Sequence, residues 1–257
     1  MTFMPPESHP KNRTPVIGAA PAGTVNEQSA AQAVRQMFDE IAPRYDLLNH
    51  VLSCNIDRLW WWRVARAFSH ILRRENSQVL DLCCGTGDMA AALRRQTRNR
   101  RPLYAADFSH GMLTRGKQKF AAHRILAIEA DALQLPFPNA RFDLVTSAFG
   151  FRNLSNYDRG LREIHRVLRD GGEIGILDFS EPGGIFGKIY QVYFRQVLPR
   201  VGALISGVKG PYSYLPASVE RFPAPSEMLQ RMRAAGFRAP SWQPYSFGIA
   251  GLYRAQK

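Results

Sequence analysis

Apolar positions recur along this chain with two different periods, and the changeover falls near residue 76. Between Ala30 and Ile41, the residues Val34, Met37, Phe38 and Ile41 stand at i, i+3, i+4 and i+7, which is one face of an α-helix. Pro43 interrupts the pattern. A second short helix is predicted through Leu47, Leu48, Val51 and Leu52, and a third from Asp57 through Trp60, Trp61, Trp62, Val64, Ala65 and Phe68. Consecutive helical residues spread over more than half a turn, so three adjacent tryptophans do not share one core. At least one of them is expected to face a ligand, a membrane or another element.

Beyond Asn76 the pattern becomes short apolar runs, at 78–82, 102–107, 124–129, 141–147 and 173–178, separated by helical stretches centred on 87–95, 110–122 and 157–168. The last stretch puts Leu161, Ile164, Val167 and Leu168 on one face and is expected to stop at Gly171-Gly172. Strand–helix alternation of this kind predicts an α/β fold with a doubly wound, mostly parallel sheet, whose ligands sit at the carboxyl ends of the strands where the strand order reverses. Residues 183–224 break the rhythm with a long helix, carrying Phe186, Tyr190 and Phe194 among others, and a stretch rich in Pro and Tyr. A helix at about 225–236 and two strand-like runs, near 237–243 and 246–254, follow; with the five earlier runs they make seven strands. Residues 1–28 hold five of the 17 prolines and little that builds a core, so they read as a flexible tail in front of a single domain at 29–257.

The composition is that of an ordinary globular chain: 45% hydrophobic and 21% charged over 257 residues, which excludes wholesale disorder. The charge is not ordinary. Thirty-four Lys and Arg against 21 Asp and Glu give a net charge of +13, which suits nucleic acid, an anionic membrane surface or an acidic protein without choosing among them. Three cysteines, Cys54, Cys83 and Cys84, make no disulfide framework and no zinc spacing, so a reducing, cytoplasmic setting and no metal are expected. The longest stretch without formal charge, 239–253, is shorter than the roughly 20 apolar residues of a membrane span and contains Pro240 and Pro244. Any membrane contact is therefore expected from the side.

The chemistry concentrates in Val79-Leu80-Asp81-Leu82-Cys83-Cys84-Gly85-Thr86-Gly87-Asp88, a strand running into a helix. Small residues let the backbone approach a ligand, and the helix start offers free N–H groups. A pyrophosphate-binding loop would read G-x-G-x-x-G; this one reads Asp81-x-Cys83-x-Gly85-x-Gly87 with acids on both sides. Asp81 and Asp88 repel a pyrophosphate and suit a cationic amino-acid ligand. S-adenosylmethionine, with its ammonium, sulfonium and carboxylate, fits this mixture. Asp107, at the end of the second strand, stands where an acid receives ribose hydroxyls, and Asp131-Ala132 follow the third strand, where a carboxylate accepts from an adenine amino group. Taken singly, each acid reads equally as a helix N-cap or loop residue; three at successive strand ends do not.

Together these motifs resemble the ubiquinone/menaquinone-biosynthesis C-methyltransferases, class I S-adenosylmethionine-dependent enzymes with a Rossmann-like fold. The likeness covers about Val34 to Tyr253. It rests on Tyr45-Asp46-x-x-Asn49-x-x-x-Ser53 with Asp57-Arg58-Leu59-Trp60, on Leu135-Pro136-Phe137, on Phe149-Gly150-Phe151-Arg152-Asn153, on Arg166-Val167-Leu168-Arg169-Asp170-Gly171-Gly172 through Leu177-Asp178-Phe179-Ser180-Glu181-Pro182, and on Tyr212-x-Tyr214-Leu215. The resemblance implies cofactor contacts at Thr86, Asp107, Asp131 and Ala132, beside Asp81, Gly85 and Gly87 of the loop. Many members have serine before the Phe-Gly of the fourth-strand motif, where this chain has Ala148 with Ser147 one position earlier.

Methylating a quinol ring carbon requires that carbon to be made nucleophilic, which follows from removing a proton from the adjacent ring hydroxyl, a phenol of pKa about 10. The site needs a base or a cation that stabilises the phenolate, and in-line positioning. Arg152 and Asn153 are candidates for stabilising and orienting the ring oxygen, with Tyr45 and Asp178 beside them. Arg152 paired to a carboxylate such as Asp178, and Tyr45 packed in a helix, are the alternatives. The N-terminal helices at 30–75 and the insertion at 183–224 are expected to cap the site, with Trp60, Trp61, Trp62, Phe186, Tyr190, Phe194, Tyr212 and Tyr214 as an apolar lining for a prenyl tail. The positive charge then fits peripheral docking on anionic lipid, at the inner face of the plasma membrane. The implied substrate is demethylmenaquinol, with a methoxy-polyprenyl-benzoquinol as the alternative; a nucleic-acid substrate is disfavoured because no Asn/Asp-Pro-Pro-aromatic motif follows the fourth strand. A homodimer is compatible with these features.

Overall fold

A computed structural model describes residues 16–44, 55–98, 101–183, 187 and 211–257. Helix α1 (Glu27–Ile41) opens on a capping box in which the Asn26 side chain accepts from Ser29 N and the Ser29 hydroxyl accepts from Asn26 N. Next come α2 (Ile56–Ala67), the short α3 (Ser69–Leu72), β1 (Val79–Leu82), α4 (Asp88–Gln96), β2 (Leu103–Asp107), α5 (His110–Ala122), β3 (Ile125–Glu129), β4 (Phe142–Ala148), α6 (Tyr157–Val167) and β5 (Leu168–Phe179). After these the described chain continues with α7 (Pro211–Arg221), α8 (Pro225–Ala234), β6 (Arg238–Tyr245) and β7 (Ala250–Gln256).

One seven-stranded sheet holds all of these strands in the order β3-β2-β1-β4-β5-β7-β6. The first five strands pair in parallel, and β7 runs antiparallel to both β5 and β6. The strand order reverses between β1 and β4, which sets the ligand crevice at their carboxyl ends. This is the expected α/β fold. The outermost strand β6 carries Pro240 and Pro244, tolerable where one edge needs no ladder donors.

Two cores cover the two faces. On one, Leu80, Phe142, Val145, Ile174 and Ile176 pack with Leu161 and Ile164 of α6 and Met228 and Met232 of α8. On the other, Val79, Leu144 and Leu177 pack with Trp60, Val64 and Phe68 and with Leu93 and Phe120. Contact there is tight enough that a Cβ at Gly175 would lie 2.4 Å from the Phe68 ring.

Two expectations change. Helix α6 does not run on to Gly171-Gly172: Leu168 turns to ψ 143 and already pairs with Phe142, while Gly171, at φ +77, lies inside β5 where its register against β4 shifts. The tail expected through residue 28 is docked over part of its length, with Gly18 N donating to Ser155 O at 3.0 Å and Ala19 N to Leu154 O at 2.7 Å. A Cβ at Gly18 would collide with Leu154 O at 1.9 Å, so this contact requires glycine.

Candidate active site

The loop between β1 and α4 turns on three residues with positive φ, Cys83 (54°), Gly85 (54°) and Gly87 (92°). Its path is fixed by the neighbouring strand. Cys84 N donates to Ala106 O at 3.1 Å, and Gly85 N donates to Asp107 Oδ2 at 2.8 Å. The other Asp107 oxygen accepts from Ser109 N at 2.9 Å. Burial raises the Asp107 carboxyl to about 6 against the backbone N–H groups of Ser109, Gly85 and Phe108. Three donors on two oxygens leave the carboxylate an acceptor direction to spare.

Gly85, Asp107, Asp131 and Ala132 border one cleft, and Asn153 borders it from the β4 side. Leu82, Cys83, Ala148, Phe149 and Gly150 form its floor, Met112 and Leu133 contribute apolar wall, and Ala31 and Phe38 of α1 reach in from above. The loops after β1 and β4 touch directly, since a Cβ on Gly150 would lie 2.4 Å from the Cys83 Cβ. Phe149, at φ 58, completes that crossing.

The other three expected cofactor residues do not border the cleft. Asp81 is fully buried one residue down β1, where Thr146 Oγ1 donates to its Oδ1 at 2.8 Å while Oδ2 has no hydrogen-bond partner. Its burial pushes the carboxyl up to about 7. Alternation along the strand puts Asp81 on the Val79 face, beneath the glycine turn. Gly87 serves packing, because a Cβ there would lie 2.3 Å from the Phe120 ring of α5. Thr86 is buried and receives Lys119 Nζ at 3.4 Å. Asp88, expected to face a ligand ammonium, pairs with the same Lys119 at 2.5 Å. At the fourth strand Ala148 borders the cleft, and the Ser147 hydroxyl is buried without a hydrogen-bond partner.

The expected catalytic group divides as well. Arg152 is not a cation open to the cleft. Its Nη1 donates to Asp178 Oδ1 at 2.9 Å and to Phe149 O, its Nε to Ser218 Oγ at 3.3 Å, and its backbone N to Asp178 Oδ2 at 3.0 Å. The guanidinium also lies 5.3 Å from the Phe179 ring centroid. Asp178 is completely buried, which raises its carboxyl, and Arg152 opposes that rise. The pairing weighed from the sequence is thus the one formed, and it braces the turn that carries Asn153. The Tyr214 hydroxyl donates to Asn153 Oδ1 at 3.1 Å and is itself raised to about 12, chiefly by burial. Tyr45 lies outside the described residues, as do Phe186, Tyr190 and Phe194 and the side chain of Tyr212.

The three tryptophans part company. Trp60 turns inward, 5.6 Å from Phe149 and 6.3 Å from Phe179, and donates to Ser246 Oγ at 2.9 Å; Trp62 faces outward.

Sequence reasoning missed the residues that hold α1 over the cleft. Asp39 Oδ1 accepts from Ser109 Oγ at 2.6 Å and from Gly111 N at 2.9 Å. Arg35 pairs with Glu129, which also meets His110 Nδ1 at 2.9 Å. At the other end, Glu27 receives Asn156 Nδ2 at 2.7 Å and Arg159 Nη1 at 3.2 Å. Only Ser109 carried a local signal, as the N-cap before the periodic stretch at 110–122.

Comparison with known proteins places the chain in a family. The pattern of the ubiE/COQ5 methyltransferase family matches residues 24–257. The demethylmenaquinone methyltransferase of Deinococcus radiodurans is 47% identical over 90% of this chain and 95% of its own. The ubiquinone/menaquinone biosynthesis C-methyltransferase of Geobacter sulfurreducens is 42% identical over 88% of this chain and 89% of its own. In fold, a SAM-dependent methyltransferase from Thermotoga maritima superposes with a TM-score of 0.61 at 16% identity, over 86% of this chain and 99% of that one. With a family pattern spanning the whole described sheet and close relatives along nearly its full length, the chain belongs to the ubiE/COQ5 methyltransferase family.

Proposed function

We propose that the chain methylates the ring carbon of demethylmenaquinol to give menaquinol, with S-adenosylmethionine as methyl donor. The observation that carries this reading is a single cleft bordered by Gly85, Asp107, Asp131 and Ala132 on one side and by Asn153 on the other. It brings a nucleoside-binding half and a polar ring-facing group within one enclosure. The name of the Deinococcus radiodurans relative supports the naphthoquinol ring as acceptor.

The residues fit the donor. The glycine turn leaves room for an amino-acid moiety at Gly85, Asp107 has acceptor directions left for ribose hydroxyls, and Asp131 with Ala132 stands ready for an adenine edge. When bound, S-adenosylmethionine supplies an electrophilic sulfonium methyl. Asp81 supports the turn from below. On the acceptor side, Tyr214 engages Asn153 Oδ1 and so assigns the amide Nδ2 as donor to the ring oxygen, where phenolate charge develops. The Arg152–Asp178 pair positions that turn, and Arg152 adds positive potential behind it. Phe149 gives the quinol an aromatic wall, backed by Trp60.

The prenylated quinol resides in lipid, and the net charge of +13 supports working contact with an anionic membrane from the cytoplasmic side. Among the described residues no helix is long and apolar enough to cross a membrane.

The test is methyl transfer from labelled S-adenosylmethionine to chemically reduced demethylmenaquinone, beside a methoxy-benzoquinol analogue and bulk tRNA. Label in the naphthoquinol is expected. Label in the benzoquinol alone would move the chain to the other quinone branch, and label in tRNA alone would overturn the quinol reading.

A further inference from the structure

Helix α2 buries one face and exposes another of unusual make-up. Trp60, Val64 and Ala65 are buried, whereas Ile56 (41% exposed), Leu59 (51%) and Trp62 (44%) form an outward stripe at i, i+3 and i+6. Three arginines, Arg58, Arg63 and Arg66, share the exposed side. Arg66 lies 5.3 Å from the Trp62 ring centroid and Arg63 lies 5.1 Å from that of Tyr245. The one carboxylate of the helix, Asp57, is buried. An exposed helix face that mixes large apolar side chains with arginine and no acid is the reverse of an ordinary solvated face. It matches the interfacial layer of an anionic bilayer, where apolar side chains enter the acyl boundary and guanidinium groups meet phosphate.

The same helix backs the cleft wall from its inner side. Trp60 packs against Phe149, which borders the cleft, and bonds to Ser246 in the turn that presents Phe247, 85% exposed, to the outside. We propose that the exposed face of α2, with Ile56, Leu59, Trp62, Arg58 and Arg66, is the surface by which the chain docks on an anionic lipid bilayer, placing the Trp60–Phe149 wall next to the membrane from which the quinol enters. The proposal rests on the membrane contact put forward above and gives it a location. Apolar and basic residues act together on this face: the arginines set the preference for anionic lipid, and the stripe sets the depth of insertion.

The experiment is co-sedimentation of the full chain with vesicles of phosphatidylglycerol mixed equally with phosphatidylcholine, and with phosphatidylcholine alone. The unmodified chain is expected to bind the mixed vesicles and not the neutral ones. Ile56→Glu/Leu59→Glu and Arg58→Gln/Arg66→Gln should each bind the mixed vesicles about tenfold more weakly or worse. Both should methylate a short-chain quinol in solution as fast as the unmodified chain, which establishes that they are folded. Leu126→Glu, an equal insult at an exposed leucine of β3, should bind normally. Undiminished vesicle binding by both α2 variants would overturn the location while leaving membrane contact standing. Failure of the unmodified chain to bind anionic vesicles would overturn both, with quinol methylation judged separately by the soluble substrate. Loss of tRNA affinity without loss of vesicle affinity in the α2 variants would make this face a nucleic-acid surface and overturn the proposal.

Discussion

Two buried acids end strands on opposite sides of the cleft, and they are held in different ways. Asp107, the last residue of β2, is satisfied by backbone N–H groups, among them those of Gly85 and Ser109. Asp178, next to last in β5, is satisfied by the Arg152 guanidinium and by the Arg152 and Phe179 backbone N–H groups. Neutral donors leave the first carboxylate with net charge and spare acceptor directions, which is what a ligand rich in hydroxyls needs. A full countercharge makes the second one a brace. Position at a strand end therefore does not assign a role; the partner does.

The largest effect that sharpens this contrast is expected at Arg152. Arg152→Met strands Asp178 in a dry interior and should lower stability by about 3–5 kcal/mol, read from the urea midpoint, whereas a ligand-facing arginine would lose activity with little loss of stability. On the other side, Asp107→Ala should weaken S-adenosylmethionine binding on the order of 100-fold by calorimetry, the loss of charge-assisted hydrogen bonds worth about 1.5–3 kcal/mol each. Equal losses of stability in the two variants would break the comparison.

A pH experiment sharpens the side held by neutral donors. Asp81 at about 7 and Asp107 at about 6 both sit above the ordinary carboxylate range when folded. The folded chain then holds protons that the unfolded chain has released, so their contribution to stability is present in acid and is lost as pH rises from about 4 through about 7. Asp81→Asn keeps the Thr146 bond and removes the buried charge. It should flatten that slope and raise stability at pH values above about 7 by roughly 1–3 kcal/mol. Cofactor affinity should run the other way, weakening as acid protonates Asp107 below about 6. The smallest effect is expected at Tyr214→Phe, which frees the Asn153 amide to turn. Methyl transfer should slow by about 3- to 10-fold, the worth of one neutral hydrogen bond, with unchanged S-adenosylmethionine affinity in a binding titration.

The ends of the parallel strands were legible in the sequence because each follows an apolar run and bears an acid or a glycine at or just after its end. What each acid would touch was not. Asp81 and Asp107 look alike as letters and share one face of the sheet, yet one lies under the turn and the other beside the cleft, a distinction made by Asp107 standing two residues beyond Ala105, the register partner of Asp81, and by which neighbour supplies N–H groups. The hold of α1 was equally hidden: Asp39 sits in an amphipathic helix, and its partners Ser109 and Gly111 are 70 and 72 residues away. The docking of residues 18 and 19 uses backbone bonds, which leave no trace in composition. The outward stripe of α2 was half legible, since three consecutive tryptophans had to part, but nothing in their order said which would face solvent.

The antiparallel strand β7 has a consequence for the chain as it is being made. It lies between β5 and β6, and its pairing with β5 joins Glu173 to Gln256 and Phe179 to Ala250. During synthesis residues 173–179 of β5, with Ile174, Ile176 and Leu177, wait with one edge unladdered until more than 70 further residues have emerged. A nascent strand in that state is a template for any other extended chain nearby. Its vulnerable interval is set by translation speed, so slow decoding between residues 180 and 250 would be felt as aggregation and not as loss of affinity or catalysis.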